Sequence, residues 1–188
     1  MKKFLLLFLF IATSYVAINA QKGRQGLGIE GTWIGMFSEP SSIGASLKYQ
    51  YGLTNTFRLE PYFSYFFTEM KYGSVYYDDS PKYYPRMVIG MNLHTLFYKG
   101  NRLWSYLITG ASYSNMRYQP YISGYIDPST RALIKPDNYE LSDNKFGGNF
   151  GLGLEYRANY SLNIVLELGY NTASKEFAGI GIVYNFKN

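Results

Sequence analysis

The chain of 188 residues contains no cysteine and only one histidine, His94. The absence of cysteine excludes disulfides, thiol catalysis and a lipid-bearing N-terminal cysteine in this sequence. A Gly-rich phosphate loop, a metal-ligand cluster with recognisable spacing and the residue order of a catalytic triad are also missing. We therefore expect no cofactor, no metal site and no catalytic residues.

Long hydrophobic runs are missing after the first twenty residues. The one run, 4–12, follows the basic start Lys2-Lys3 and precedes a small residue, Ala20, which is the layout of a cleaved secretory signal peptide. This run is too short to span a bilayer, which needs about 20 apolar residues. We expect a signal peptide over 1–20 and a single mature domain over 21–188.

Basic runs are missing as well. The signal peptide holds two of the 18 basic residues, which leaves 16 against 13 acidic ones and a net charge of +3. A small surplus of positive charge without clustering argues against a nucleic-acid partner.

The chain is 47% hydrophobic and 19% aromatic, yet its mean hydropathy is only −0.18. That combination is typical of apolar residues that alternate with polar ones.

The alternation predicts β-strands, and no segment after residue 20 has the pattern of an amphipathic helix. The fifth predicted strand, about 103–113, has apolar residues on both faces, so the sequence does not show which of its faces points inward. An even number of strands brings both ends of an antiparallel barrel to one side. We predict eight strands, at about 26–37, 43–51, 57–67, 87–98, 103–113, 146–156, 161–170 and 177–186.

The connections at one end of the predicted barrel are short, and both long connections lie at the other end. The links 52–56, 99–102 and 157–160 are short, whereas the long links, about 68–86 and 114–145, both fall on the other side of the barrel. Outer-membrane barrels have short periplasmic turns and longer extracellular loops. The asymmetry therefore predicts periplasmic termini.

Residue size indicates which face of each strand points inward. The polar faces are rich in glycine and serine, as a narrow eight-stranded interior requires, with opposite charges paired in the remaining space. The alternative is a soluble, ligand-binding barrel with its apolar face inside. The predicted interior polar network consists of Glu30, Lys48, Arg58, Glu60, Glu155 and Glu167. Aromatic residues predicted to form interface girdles are Trp33, Tyr51, Phe57, Trp104, Tyr156, Tyr170, Tyr184 and Phe186.

The signal segment, the eight strands and the aromatic-tipped end Ile180-Gly181-Ile182-Val183-Tyr184-Asn185-Phe186 together resemble a known family. The chain resembles a small outer-membrane β-barrel of the outer-membrane-protein-A type, the "outer membrane protein β-barrel domain" or porin family group. The resemblance implies an all-β, eight-stranded antiparallel transmembrane up-and-down barrel in the cell outer membrane. It also implies outer-membrane lipids and, during biogenesis, the assembly machinery as partners.

The sequence favours a barrel that is not an enzyme. Lipid-modifying enzymes and proteases on this scaffold need a histidine beside a serine or carboxylate at the outer rim. His94 shares a face with Gly90 and Asn92 near the short link 99–102, so we predict an interior structural histidine. We interpret the six charged residues of the predicted interior network as salt bridges that fill the lumen and neutralise charge there, and not as an acid–base site.

The loops contain the other candidate site. Tyrosine offers a large amphipathic contact area, which suits partner binding; packing on extended strands is the alternative. These loop tyrosines are Tyr72, Tyr76, Tyr77, Tyr83, Tyr84, Tyr121 and Tyr125. Around the turn signal Asp127-Pro128-Ser129-Thr130 we predict a hairpin formed by 121–126 and 131–135.

Three functional hypotheses remain open. The first is a non-catalytic barrel that supports envelope integrity or surface interaction through its loops, with an extracellular or envelope protein as partner. The second is a membrane subunit or accessory of a larger envelope assembly. The third is a lipid-modifying enzyme.

Overall fold

The computed structural model describes residues 22–35, 41–70, 82–83, 85–119, 125–126, 133–134, 141–173 and 175–187. Eight long strands form one closed antiparallel sheet within these residues. Consecutive strands pair with each other, and the pairing of the first strand with the last closes the barrel. No helix in the described ranges is long and apolar enough to cross a membrane. We number the strands β1 (Gln25–Ile34), β2 (Ser41–Gly52), β3 (Phe57–Met70), β4 (Arg86–Lys99), β5 (Leu103–Gln119), β6 (Leu141–Arg157), β7 (Leu162–Asn171) and β8 (Lys175–Lys187).

The predicted fold class is confirmed, and most strand bounds agree with the predictions to within a few residues. Two strands are much longer than predicted: β5 and β6 each have 17 residues, and they stay paired out to Tyr118 opposite Leu141. The apolar alternation fades in their outer parts because polar residues continue the strands there. The pairing of these two strands therefore continues well beyond the predicted bounds.

The two ends of the barrel are built differently. At the turn end, the short turns 53–56, 100–102 and 158–161 lie beside both ends of the described chain, where Gln25 pairs with Lys187. Two of these turns are held by side chains, because Thr54 Oγ1 accepts from the Phe57 amide at 2.9 Å and Asn159 Oδ1 accepts from the Leu162 amide at 2.8 Å. The opposite end, which we name the loop end, contains both long connections.

Short strand segments lie beyond the loop end. Lys82–Tyr83 pairs with Tyr118 and Gln119 of β5. Tyr125–Ile126 pairs antiparallel with Leu133–Ile134 in a separate two-stranded sheet, so the pairing of the predicted hairpin is confirmed. The predicted turn 127–130 and the loop tyrosines Tyr72, Tyr76, Tyr77, Tyr84 and Tyr121 lie outside the described residues.

The side chains of each strand alternate between a buried inner face and an exposed outer face. Apolar residues cover the outside; Ile29 and Ile180, for example, are 62% and 64% exposed. At the described outward-facing positions in the strand centres there is no Asp, Glu, Lys or Arg. The apolar face therefore points outward, which contradicts a soluble, ligand-binding barrel.

The structure settles the facing of β5 and corrects one prediction. Trp104, Tyr106 and Ile108 are buried in the lumen, with exposed fractions of 4%, 0% and 1%. The prediction that Trp104 belongs to an outer aromatic girdle is therefore wrong, because its ring helps to fill the barrel. The other seven girdle residues lie on the outward-facing side of their strands.

Three inward-facing aromatic rings lie over glycines directly opposite them on the neighbouring strand. Tyr106 faces Gly153 and Tyr62 faces Gly90. Phe177 faces Gly169 in the same way. A Cβ atom at any of these glycines would overlap the ring, so the lumen needs glycine there to admit the aromatic side chain.

Candidate functional site

The six residues of the predicted interior network all point into the lumen. They come from five different strands, and each is at most 5% exposed. Their places follow from the period of two, because every one lies at an inward-facing position of its strand. β1 contributes Glu30, β2 contributes Lys48, β3 contributes Arg58 and Glu60, β6 contributes Glu155 and β7 contributes Glu167.

Lys48 is the centre of the larger ionic cluster. Its Nζ lies 2.6 Å from Glu30 Oε2, 2.5 Å from Glu167 Oε2 and 3.6 Å from Glu60 Oε1. Tyr106 donates to the second oxygen of Glu167 at 2.7 Å. One ammonium thus joins carboxylates from β1, β3 and β7, and the cluster bridges opposite walls of the barrel.

Arg58 is the centre of the second cluster. Its Nη1 lies 2.5 Å from Glu155 Oε2, and Asn163 donates to the other oxygen of Glu155 at 2.6 Å. Arg58 also donates to His94 Nδ1, with Nη2 at 3.0 Å. The guanidinium lies over the Tyr106 ring, 4.9 Å from its centroid.

His94 connects the two clusters. It is fully buried and stacks on the Tyr106 ring with a centroid distance of 4.4 Å. Because Arg58 donates to Nδ1, the ring proton belongs on Nε2, which lies 3.4 Å from Glu60 Oε1. This packing supports the predicted role of a structural interior histidine.

Glu60, His94 and Glu167 bring potential metal-ligand atoms within 4.8 Å of one another. A metal on His94 Nε2 would require that nitrogen to lose its proton. The Arg58 donor at Nδ1 opposes this, because it fixes the proton on Nε2. The Lys48 ammonium also lies close to Glu60. These contacts favour an ion-pair network over a metal site.

A layer of amide and hydroxyl groups on the loop side of the ions was not predicted. Asn149 donates to Asn92 Oδ1 at 2.7 Å, and Asn171 donates to Ser112 Oγ at 2.6 Å and to Asn149. The sequence pattern placed Asn92 and Asn149 on polar, inward-facing sides of their strands, whereas Ser112 lies on the strand whose facing was left open and Asn171 lies just beyond a predicted strand end. Their convergence could not be predicted from the sequence, because it depends on the registers of four strands.

A cavity of about 50 Å³ lies between the ions and the loop end. Its floor includes Glu30, Lys48 and Glu167, and amide and hydroxyl side chains form its walls. Ile34, Phe66 and Val88 pack together at the loop side, with Phe177 against them. The polar interior is thus covered by an apolar cap.

The turn end of the lumen is basic and aromatic. The guanidinium carbon of Arg157 lies 4.6 Å from the Trp104 ring centroid, and that of Arg24 lies 5.5 Å from it. Trp104 Nε1 donates to the Gly100 carbonyl at 3.0 Å. Arg24 and Arg157 were not predicted, because each lies outside the clear alternation at a strand end.

Charge is separated along the lumen. In the middle, Glu30, Glu60 and Glu167 surround Lys48, a surplus of two negative charges. Near the turn end, the Arg24 guanidinium interacts electrostatically with those of Arg58 and Arg157 and with the Glu155 carboxylate, and these four groups carry a formal surplus of two positive charges. The two surpluses cancel over these eight residues.

No protein-family model and no curated protein matches this chain in sequence. Solved structures match it in fold. The attachment invasion locus protein Ail of Yersinia pestis is 14% identical, with a TM-score of 0.54 over 88% of this chain and 100% of that one. The N-terminal β-barrel domain of Pseudomonas aeruginosa OprF is 17% identical, with a TM-score of 0.55 over 89% of this chain and 100% of that one.

Neisserial surface protein A is 12% identical, with a TM-score of 0.57 over 87% of this chain and 96% of that one. At these identities the likeness concerns the fold alone. The chain has the eight-stranded barrel fold of small outer-membrane proteins, as its sequence pattern predicted.

Proposed function

We propose that the protein is an integral outer-membrane barrel that acts without catalysis, through envelope integrity or surface interaction at its loop end. The single observation that supports this most is the uncharged, apolar outer wall around a charged lumen. An apolar surface of this extent is stable in lipid and unstable in water. Outer-membrane lipids are accordingly its first partners.

We infer the orientation in the membrane from the two unlike ends of the barrel. Outer-membrane barrels keep short turns in the periplasm and long loops outside. We therefore assign the turn end and both termini to the periplasm, and the loop end with 68–86 and 114–145 to the cell surface.

The lumen supports a structural role better than a catalytic one. A general base must lie within hydrogen-bond distance, about 3 Å, of the group whose proton it removes, or be connected to that group through one water. His94 is fully buried between the Arg58 guanidinium and the Tyr106 ring. This burial argues against His94 as a general base, and Lys48 and Arg58 pair with the carboxylates beside it.

A deletion strain tests the proposal. It is complemented with the wild-type chain or with a chain lacking 121–135, at equal folded abundance in the outer membrane. We expect the shortened chain to restore detergent resistance if the barrel itself maintains the envelope, and to lose surface adhesion if the loops bind a partner.

Three results would contradict the proposal. Equal detergent resistance and equal adhesion in the deletion strain and the complemented strain would exclude roles in both envelope integrity and surface interaction. A changed lipid A profile in the deletion strain would indicate an enzyme. Stable co-purification with other envelope proteins in mild detergent, unaffected by loss of 121–135, would favour an accessory subunit that uses the lipid-facing wall.

A further inference from the structure

Arg24 is a buried cation with an unused hydrogen-bonding edge. The side chain is only 8% exposed, and its Nε and Nη2 have no hydrogen-bond partner. These two nitrogens form one edge of the guanidinium and donate in parallel, so the edge can bind an oxyanion through two hydrogen bonds. Leaving buried donors unsatisfied costs free energy, so this edge invites a ligand.

The surroundings of Arg24 suit an anion. Arg24 lines a small cavity of about 10 Å³ together with Gln50, Arg58 and Asn185. Arg157 packs on the same Trp104 ring, and its Nε is also buried without a hydrogen-bond partner. Burial lowers the pKa of Arg24; Arg157 and Arg58 lower it further and Glu155 opposes them. Bound negative charge would relieve this repulsion.

We propose that the turn end of the lumen is a phosphate-binding site in which Arg24 presents the Nε and Nη2 edge and Arg157 adds a second guanidinium. The cavity has room for about one oxygen-sized group. One phosphate oxygen fits this space, where it can accept hydrogen bonds from both Nε and Nη2 of Arg24. The local surplus of two positive charges matches a phosphate better than a carboxylate. The phosphate is either free or carried by a lipid headgroup.

Trp104 provides the reporter for a test. The chain has two tryptophans, so Trp33→Phe leaves Trp104 as the only one. The single-tryptophan protein in a non-ionic detergent is titrated with inorganic phosphate, and with sodium chloride at the same ionic strength. We expect a saturable change in Trp104 fluorescence with phosphate, and at least a tenfold weaker affinity in Arg24→Gln, because a charge-assisted bidentate contact is lost.

Arg102→Gln is the matched control. Arg102 is an exposed arginine at the same end, in the turn before β5, and it does not line the cavity. Its variant should keep the phosphate affinity. Arg24→Lys keeps the charge but lacks the two-donor edge, so it should also bind more weakly, and it replaces Arg24→Gln if that variant does not fold.

The source of the phosphate is distinguished in vesicles. Saturation by inorganic phosphate in detergent indicates a free anion. A change in phosphatidylcholine vesicles only when they contain phosphatidylglycerol indicates a lipid headgroup. No change in either arm, an equal change with chloride, or an unaltered affinity in the Arg24 variants would overturn the proposal.

Discussion

At the residue scale, the lumen is held together by charges that no single strand could satisfy. Burying an ion costs several kcal/mol, and only close opposite charges and additional hydrogen bonds offset this cost. Lys48 meets this condition with carboxylates from three strands, and Arg58 meets it with Glu155 and His94. Removing either cation leaves buried carboxylates without a partner.

We predict that Lys48→Met destabilises the barrel by about 3–5 kcal/mol, because Glu30, Glu60 and Glu167 lose their shared cation. Arg58→Met should have a similar effect through Glu155. The measurement is urea unfolding in detergent micelles. Lys22→Met, which removes an exposed lysine at the turn end, is the control and should unfold like the wild type. Identical unfolding of all four proteins would contradict the network.

A second prediction concerns the ring of Tyr106 over Gly153. Gly153→Ala would push the ring away from its hydrogen bond to Glu167 and its stack on His94, since a Cβ there overlaps the ring. We expect a loss of about 1–3 kcal/mol, as is typical of overpacking. The measurement is again urea unfolding.

Gly31→Ala is the matched control for Gly153→Ala. Gly31 is a glycine on the outer face of β1, where an added Cβ has only one neighbour, the Ile180 carbonyl oxygen at 3.8 Å. It should therefore unfold much like the wild type. If both variants are equally stable, the ring does not depend on the glycine beneath it.

At the scale of elements, β5 shows where sequence patterns stop being informative. Hydropathy alone separates the two faces of a strand when the lumen is polar. In β5 the inward-facing positions carry Trp104, Tyr106 and Ile108, so both faces look apolar. Gly153 on β6 makes room for the inward-facing ring of Tyr106. Its position opposite Tyr106 depends on the register of the two strands, which the sequence does not show.

The outer parts of β5 and β6 were underestimated for a related reason. The residues 114–119 and 142–145 are largely polar, so the apolar alternation that marks a strand in lipid disappears. Beyond the bilayer, backbone pairing continues without that requirement. Polar residues in an extended loop region therefore do not exclude strand structure.

We predict that the hairpin of Tyr125–Ile126 and Leu133–Ile134 is ordered enough to protect its amides. A two-stranded hairpin is marginally stable alone, so protection would show support from neighbouring loops, and we expect this from the tyrosine-rich segment 72–84. Hydrogen exchange followed by mass spectrometry in micelles measures it. Amides of β2 serve as the protected reference, and exchange across 121–135 at the rate of an unstructured peptide would refute the prediction.

At the scale of the whole molecule, the fold was more predictable than the pairings inside it. The period of two, the even strand count and the link lengths all follow from local patterns, so barrel closure and the inward-facing side of every strand except β5 could be predicted from the sequence. Which carboxylate meets which cation depends on how strands are staggered across the lumen. The contact of Lys48 with Glu167, from β2 and β7, is an example.

The last prediction concerns the barrel as an integral membrane protein. A closed barrel has no free sheet edge, and its interior network joins opposite walls, so we expect it to stay folded in dodecyl sulfate at room temperature and to unfold on boiling. Unheated samples should therefore migrate differently from boiled ones in gel electrophoresis. On stepwise heating, the band of the folded form should disappear at a lower temperature for Lys48→Met than for Lys22→Met, because Lys48→Met weakens the interior ion-pair network. Recovery of residues 21–188 as a stable monomer in buffer without detergent would contradict a membrane barrel, since its exposed apolar wall requires lipid or detergent.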